Sequence, residues 1–337
     1  MSYFDAVDLP FFRERLDPFL PRKLFDAHLH IARLSHFAEI TAERKLQNWA
    51  LGVCSSFPYL SAVKVYRKLF PGRSVQALAM GMPIREVDVD ANNEYAEDAR
   101  TKAGFQCLYM TRPNFPPEKL RTALRRGFLG FKPYVELAGK EDLEQVGIFD
   151  MFPEPHLDVA NSERAIVLLH IPRKGRLKDP CNIEELRALV RNFPRARVVL
   201  AHCGRSYCRS FAEEGFPKLW DLGLWFDLAA MVNPEVFELA FTMFDTTRIL
   251  WGTDLPVMLM RGVREYHGDT YKDFTRGNYV WNRDRKPPEV EATYTFYVYK
   301  ELEAILQAAR AVRLPQDRIE DILCHNAMRL CGLNGTV

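Results

Sequence analysis

Four short, mostly apolar segments of this chain each end in a side chain that can bind a metal ion. They run from Lys23 to His30, from Ala165 to His170, from Arg197 to His202 and from Arg248 to Asp254. Segments of this length and composition are typical of strands buried on both faces of a parallel sheet. Because histidines that only filled the core would not recur at the carboxyl ends of strands, the feature constrains fold and function together.

The first of these segments contains the sequence Asp26-Ala27-His28-Leu29-His30. Side chains alternate between the two faces of a strand, so we expect Asp26, His28 and His30 to project to one side at different depths. Two imidazoles directed at one point suit a metal ion, although a His-x-His pair also arises by chance in a chain with 8 histidines. Asp26 lies one pleat below His28 and is predicted to orient an imidazole or to pack beneath the site.

Predicted strands alternate with predicted helices in the second half of the chain. A helix from Glu141 to Phe149 precedes the strand that ends at His170, and a helix from Ile183 to Asn192 precedes the strand that ends at His202. This alternation, with eight or nine predicted strands in the whole chain, favours an α/β fold, and specifically a (β/α)₈ TIM barrel, over an open doubly wound sheet. No glycine-rich phosphate-binding fingerprint follows any of the strands, which weakens the dinucleotide-binding alternative.

The barrel is predicted to be a single domain over residues 23–337, since 337 residues are enough for one large core. Residues 1–22 are predicted to form an N-terminal extension with a helix near residues 7–16. Residues 51–55 are compatible either with a strand or with the end of the preceding helix, so they account for the surplus strand.

A long connection, residues 261–299, follows the strand that ends at Asp254, so the fold class includes a long loop after the eighth strand. It is rich in aromatic and charged residues and shows no clear secondary structure. Connections of this length are usually functional, and this one starts at the predicted catalytic face of the barrel. A subunit interface is an equally good interpretation.

Composition excludes several classes of protein. With 46 basic and 44 acidic residues the net charge is only +2, so we expect no nucleic-acid partner. No segment resembles a signal peptide or a membrane span, which predicts a cytoplasmic protein without a membrane partner. The 7 cysteines are scattered without a C-x-x-C pair, which argues against a disulfide framework and a thiolate zinc site.

Imidazoles and carboxylates without thiolates suit Zn²⁺, with Mn²⁺ as the alternative. Such an ion lowers the pKa of its bound water to about 7. Asp254 is placed to accept the proton of that water, and His202 either to bind the metal or to polarise a substrate oxygen. Basic residues also follow the strands; Arg173 and Arg205 are nearest to the predicted ligands, and arginine suits the two-pronged binding of a carboxylate.

The ordered set of motifs resembles the amidohydrolase superfamily, in the branch of amidohydrolase-related proteins that contains both hydrolases and nonoxidative decarboxylases. The resemblance covers residues 23–333. The motifs are Asp26-Ala27-His28-Leu29-His30, Gly130-Phe131-Lys132, His170, Ala201-His202-Cys203-Gly204, Trp251-Gly252-Thr253-Asp254 and Asn326-Ala327-Met328-Arg329-Leu330.

By this resemblance, His28, His30, His170 and Asp254 bind one divalent metal ion, and His202 is a further ligand or a catalytic residue. A second metal is implied only if Lys132 is carboxylated. The favoured interpretation is an unmodified amine that contacts the substrate or a neighbouring carboxylate. The motif departs from the branch's frequent Lys-Leu-His-Pro here, which indicates a different pocket after the fourth strand.

The sequence therefore predicts an enzyme, a metal-dependent hydrolase that uses activated water on an amide, lactone or ester bond of a small anionic substrate. The alternative is nonoxidative decarboxylation of an aromatic or enoic acid at the same site. A non-catalytic metal-binding barrel is the third hypothesis, and an ionisable Asp254 beside an open coordination position argues against it. We also expect a homo-oligomer.

Overall fold

Eight parallel strands follow one another around a barrel in the computed structural model, which describes residues 2–333. Two sheets, of three and six strands, contribute nine strands, and two of these are pieces of one strand separated only by Leu108. In order, the barrel strands are Lys23–His30, Ser74–Met80, Gln106–Cys107 with Tyr109–Met110, Gly130–Lys132, Ile166–Leu169, Arg197–Leu200, Trp225–Asp227 and Ile249–Leu250.

Backbone hydrogen bonds close the barrel where the two sheets meet. Ala27 N donates to Trp251 O at 2.9 Å and Asp254 N donates to His28 O at 2.8 Å, which joins the first strand to the end of the eighth. Leu129 N donates to Cys107 O at 2.9 Å across the other junction. The predicted TIM barrel is thus confirmed, and the carboxyl ends of all eight strands lie at one rim.

Helices connect the strands and cover the barrel. Many begin at a side-chain cap: Asp88 accepts from Ala91 N at 3.1 Å before the helix Val89–Ala103, which ends at Gly104 in a left-handed conformation, φ 72°. The helices of more than one turn are Ala42–Gln47, Trp49–Val53, Tyr59–Leu69, Val89–Ala103, Pro117–Arg125, Glu154–Ser162, Pro180–Asn192, Arg209–Gly215, Pro234–Met243 and Tyr297–Ala311, with a continuous helical stretch formed by Gln316–Glu320, Asp321–His325 and Asn326–Leu330.

Of the ambiguous residues 51–55, residues 51–53 belong to a helix and residues 54 and 55 follow its end, so none of them forms a strand. The helix Trp49–Val53 begins at Asn48, whose side chain accepts from Ala50 N at 3.1 Å. This cap separates it from the preceding helix Ala42–Gln47 and explains why the apolar run looked like an independent element.

The N-terminal segment is helical from Phe4 to Leu16, through Phe4–Asp8, Leu9–Phe11 and Phe12–Leu16. Phe12 and Leu16 are buried in the main core. The aromatic rings of the N-terminal segment pack on the helix Tyr297–Ala311, where Phe11 stacks on Tyr299 with centroids 6.2 Å apart. The extension is therefore helical as expected and shares the core of the barrel.

The connection after the eighth strand contains a β-hairpin, which corrects the expectation of a loop without secondary structure. Its strands, Arg261–His267 and Thr270–Arg276, pair antiparallel around a two-residue Gly268-Asp269 turn. Gly268 has φ 60°, a conformation that such tight turns require. We call residues 261–276 the hairpin. A short helix, Pro288–Glu291, follows it before the helix Tyr297–Ala311 begins.

Among residues 2–333, no helix combines the length and the apolar composition needed to cross a bilayer. The boundary between residues 22 and 23, the homo-oligomer and the cytoplasmic location stay predictions. Residues 334–337 of the predicted barrel domain lie outside the described residues.

Candidate active site

A cavity of about 210 Å³ opens at the carboxyl ends of the barrel strands. It brings together the five potential metal ligands that the sequence places at strand ends. These are His28, His30, His170, His202 and Asp254.

Three of these side chains form a compact triangle. His28 Nε2 and His30 Nε2 are 3.2 Å apart, and Asp254 Oδ1 lies 3.7 Å from the first and 3.4 Å from the second. Ligand atoms about 2.1 Å from a tetrahedral ion are separated by about 3.4 Å. His28, His30 and Asp254 therefore fit one divalent metal ion with room for further ligands.

Hydrogen bonds from Nδ1 orient three of the four histidines. His28 Nδ1 is 2.9 Å from Asp227 Oδ2, His30 Nδ1 is 2.7 Å from Gly81 O and His202 Nδ1 is 2.8 Å from Ala229 O. Since a carbonyl oxygen or an ionised carboxylate can only accept, each Nδ1 carries the proton. Each Nε2 is left with a free lone pair, as metal-binding histidines require.

Asp227 is the site residue that the sequence reasoning missed. It ends the seventh strand, is fully buried and also accepts hydrogen bonds from His202 N at 2.8 Å and Ala229 N at 3.1 Å. The signal was present, because Trp225-Phe226-Asp227 is another apolar strand that ends in a potential ligand. In the structure, Asp227 lies behind the imidazoles and orients them.

Asp26 lies beneath the site, as its position in the strand predicts. It accepts hydrogen bonds from His28 N at 3.0 Å, Thr253 N at 2.8 Å and Tyr66 Oη at 2.5 Å. Burial raises the pKa of this carboxyl to about 6, although these hydrogen bonds oppose the shift. Asp26 thus ties the first strand to the end of the eighth and holds their ligands in register.

The protonation states suit metal binding. Burial lowers the pKa of His28 to about 4, against the opposing charge of Asp227, so the imidazole is neutral at pH 7. Burial alone would raise the pKa of Asp254, but the neighbouring imidazoles of His30, His28 and His202 bring it well below its usual range. Asp254 is therefore an ionised carboxylate facing the cavity.

His170 lines the same cavity but is not part of the triangle. Its ring centroid lies 5.4 Å from that of His202 and 5.0 Å from that of Tyr134. Within residues 2–333, its buried Nδ1 has no hydrogen-bond partner. Burial and the charge of Arg205 lower the pKa of His170 well below its usual value, so this imidazole is also neutral.

Lys132 reaches the cavity from the end of the fourth strand and is almost completely buried. Its Nζ has no hydrogen-bond partner in the described part of the chain. Burial lowers the pKa of this amine to about 8, with the charges of Asp227 and Asp254 opposing the shift. A buried amine without a partner is available to a ligand in the cavity.

Of the two arginines predicted to bind substrate, one lines the cavity and the other does not. Arg205 lines the cavity and is held by hydrogen bonds from Nη1 to Ile171 O at 3.0 Å and Pro172 O at 2.5 Å. Arg173 does not line it, because Glu185 of the helix Pro180–Asn192 captures its guanidinium at 2.6 Å.

Arg176 occupies the place in the cavity that Arg173 was predicted to take. Its guanidinium lies over the rings of Tyr207 and Phe211, 5.1 and 5.0 Å from their centroids. Within the described residues, its buried Nε and Nη1 have no hydrogen-bond partner. Arg176 belongs to the same basic loop as Arg173. The sequence therefore indicated that this loop brings a basic side chain to the cavity, but not which of the two arginines it is.

The sequence of residues 25–333 matches the protein family described as Amidohydrolase. No curated protein matches the chain. Several solved structures are similar to it over nearly their whole length, at identities that establish the fold alone.

One similar structure is a probable 2-pyrone-4,6-dicarboxylic acid hydrolase from Acinetobacter baumannii with citric acid bound, 13% identical, TM-score 0.55, covering 92% of this chain and 99% of its own. A second is 2,6-dihydroxybenzoate decarboxylase from Rhizobium, 13% identical, TM-score 0.53, covering 94% and 100%. A third is 5-carboxyvanillate decarboxylase from Novosphingobium aromaticivorans, complexed with manganese and 4-hydroxy-3-methoxy-5-nitrobenzoic acid, 10% identical, TM-score 0.57, covering 93% and 96%.

Proposed function

The chain belongs to the amidohydrolase family, and from this premise we propose that it is a metal-dependent hydrolase of an amide, lactone or ester bond in a small carboxylate-bearing molecule. The observation that carries the proposal is the ionised Asp254, which faces the cavity beside His28 and His30. Hydrolysis requires a proton acceptor for the attacking water, and an ionised carboxylate has a free position for that proton.

We assign His28, His30 and Asp254 as metal ligands, with His170 as a further ligand from the opposite wall. A divalent ion, Zn²⁺ by preference or Mn²⁺, would supply Lewis-acid polarisation of the scissile carbonyl and a lowered pKa for water. A second ion would require carboxylation of Lys132. The free Nε2 lone pairs and the hydrogen-bonded Nδ1 atoms support this assignment.

The chain's own residues then move one proton. Asp254 accepts it from the attacking water and returns it to the leaving group, because one carboxylate at the cavity wall reaches both positions. His202, whose Nδ1 is engaged by Ala229 O, would bind the metal or hold a substrate oxygen through Nε2.

Substrate binding is assigned to the cations of the opposite wall. Arg176 and Arg205 present guanidinium groups that form no ion pair with any described residue, and they suit a substrate carboxylate. Lys132 supplies a further donor at the base of the cavity. Arg173 is left out of the proposed site because Glu185 and Asn182 already engage it.

A second candidate is nonoxidative decarboxylation of an aromatic acid. The aromatic lining favours it, since Trp49, Tyr134, Tyr207 and Tyr271 provide flat walls for a ring. In this reaction a protonated group delivers a proton to carbon, a task for which ionised Asp254 is less suited.

The deciding experiment screens carboxylate-bearing lactones, amides and aromatic acids with Zn²⁺- and Mn²⁺-loaded protein, then follows isotopes in the active reaction. Incorporation of one ¹⁸O from solvent water into the organic product, abolished in Asp254→Asn and retained in the exposed control Asp90→Asn, supports hydrolysis. Release of CO₂ with solvent deuterium on carbon and no solvent ¹⁸O establishes the second candidate instead.

A further inference from the structure

The hairpin contains a buried arginine that points toward the site without reaching the cavity. Arg264 has a side chain only 2% exposed and pairs across the hairpin with Asp273, Nε to Oδ1 at 2.8 Å. These two residues are directly opposite in the register of the hairpin. Arg264 also donates from Nη1 to Ala230 O at 3.2 Å, which connects the hairpin to the chain that follows the seventh strand.

Ala230 is the neighbour of the residue that orients His202. His202 Nδ1 donates to Ala229 O at 2.8 Å, and Ala230 N donates to Glu301 Oε2 at 3.1 Å. Ala230 has φ 57°, a left-handed conformation that is strained for a residue with a Cβ. The hydrogen bonds to Arg264 and Glu301 hold Ala230 in this conformation and so fix the direction of the Ala229 carbonyl.

A second connection runs through aromatic rings. The Arg264 guanidinium lies 4.2 Å from the centroid of Tyr271, and Tyr271 packs edge-on against Tyr207 at 5.4 Å. Tyr207 in turn lies nearly parallel to the His202 ring, with centroids 6.1 Å apart and an interplanar angle of 29°. Arg264 therefore supports His202 both from its Nδ1 side and across its face.

We propose that Arg264 is a positioning residue that holds His202 in the Nδ1–H tautomer and in its orientation toward the cavity. It acts through Ala230 and through the edge-on contact of Tyr271 with Tyr207. The importance of this position for turnover depends on the proposed function, whereas the effect on the imidazole does not.

The same hairpin provides a matched control. Arg261, on the same strand, pairs with Asp8 at 2.6 Å and lies over the Phe296 ring, 3.9 Å from its centroid, on the N-terminal helix side. Both acidic partners also accept from a hydroxyl: Asp8 from Thr295 Oγ1 and Asp273 from Tyr297 Oη, each at 2.9 Å. Removing either pair therefore disturbs the hairpin similarly, but only Arg264 contacts Ala230.

The test compares Arg264→Met with Arg261→Met in metal-free protein carrying ¹⁵N-labelled histidine. Long-range ¹H–¹⁵N spectra identify the tautomer of each imidazole, and His202→Gln assigns the signal. We expect Arg264→Met to convert the His202 signal from the Nδ1–H form to a mixture of tautomers, Arg264→Lys to restore it in part, and Arg261→Met to leave it unchanged. In loaded enzyme, Arg264→Met should lower kcat about tenfold or more.

Arg264→Met leaves the Asp273 carboxylate without its partner. Two double variants, Arg264→Met/Asp273→Asn and Arg261→Met/Asp8→Asn, therefore repeat the comparison without an uncompensated charge. An unchanged His202 signal in the folded Arg264 variants overturns the proposal, as does an equal change in the Arg261 variants. If the wild-type protein hydrolyses none of the substrates, the proposed function fails while the spectra still decide the role of Arg264.

Discussion

Asp227 Oδ2 lies 2.9 Å from His28 Nδ1, and both side chains are buried. Burial alone would raise the pKa of Asp227, but the electrostatic attraction and hydrogen bond of His28, with those of His202, bring it below its usual value. The ionised carboxylate can only accept, so His28 is fixed in the Nδ1–H tautomer with Nε2 free. This pair therefore holds a buried imidazole in the tautomer that can bind a metal ion through Nε2.

Replacing Asp227 with Asn should weaken metal binding without removing a ligand of the triangle. The amide no longer selects the Nδ1–H tautomer of His28, and losses of such partners typically lower metal affinity about 10- to 100-fold. Competition with a chromophoric chelator for Zn²⁺ measures the change. Asp221→Asn, an exposed position shortly before the seventh strand, is the control, and an equal loss there would contradict the assignment.

Gently purified protein should contain close to one divalent metal ion per chain. His28→Ala should lose nearly all of it, because the triangle keeps only His30 and Asp254. Elemental analysis of matched preparations gives the ratio, with the exposed His267→Ala as the control. Full activity in metal-free protein would refute the metal-dependent function.

Two arginines of one loop should differ sharply in their effect on substrate binding. Arg176→Met should raise KM about tenfold to a hundredfold, since a lost charge-assisted hydrogen bond costs about 1.5–3 kcal/mol. Arg173→Met should leave KM near the wild-type value, because Arg173 is engaged by Glu185 outside the cavity. The reverse result would return substrate binding to Arg173.

Lys132→Met should stabilise the metal-free protein at neutral pH while impairing its function. The pKa of Lys132 is about 8 in the folded state against 10.5 as the ordinary value, so the buried charge costs about 3 kcal/mol below pH 8. Between pH 8 and 10.5 the unfolded chain binds more protons, so wild-type stability rises with pH and the advantage of the variant shrinks.

Urea unfolding of metal-free protein at pH 7 and pH 10.5 measures this difference. The exposed Lys64→Met serves as the control and should show no such pH-dependent gain. A gain in Lys132→Met that stays constant over this range would show that the stabilisation has another cause.

Local sequence predicted the barrel strands and the side chains that their carboxyl ends bring to the cavity. A buried parallel strand is defined by a run of apolar residues, and its carboxyl end is therefore visible in the sequence without knowledge of its neighbours. The same rule applies to Asp227, which stands at the carboxyl end of the apolar seventh strand. Asp26 followed from the period of two along the first strand.

The hairpin was harder to predict because its strands alternate charged and aromatic residues on both faces. Its two-residue Gly268-Asp269 turn is a hairpin signal, but the stability of the paired strands comes from contacts distant in sequence. Arg261 pairs with Asp8 from the N-terminal helix, and Arg264 bonds to Ala230. Neither partner can be identified from the segment itself.

The sequence by itself determined the barrel, the position of His28, His30 and Asp254 at strand ends, and the basic loop after the fifth strand, because each depends on a local pattern of polarity. Only the tertiary structure decided that Arg176 and not Arg173 faces the cavity, that Asp227 contacts His28 Nδ1, and that the hairpin contacts Ala230 beside the carbonyl that His202 bonds. These outcomes depend on which distant group satisfies a buried charge or donor. Glu185 pairs with Arg173, whereas the buried Nε and Nη1 of Arg176 have no hydrogen-bond partner among the described residues.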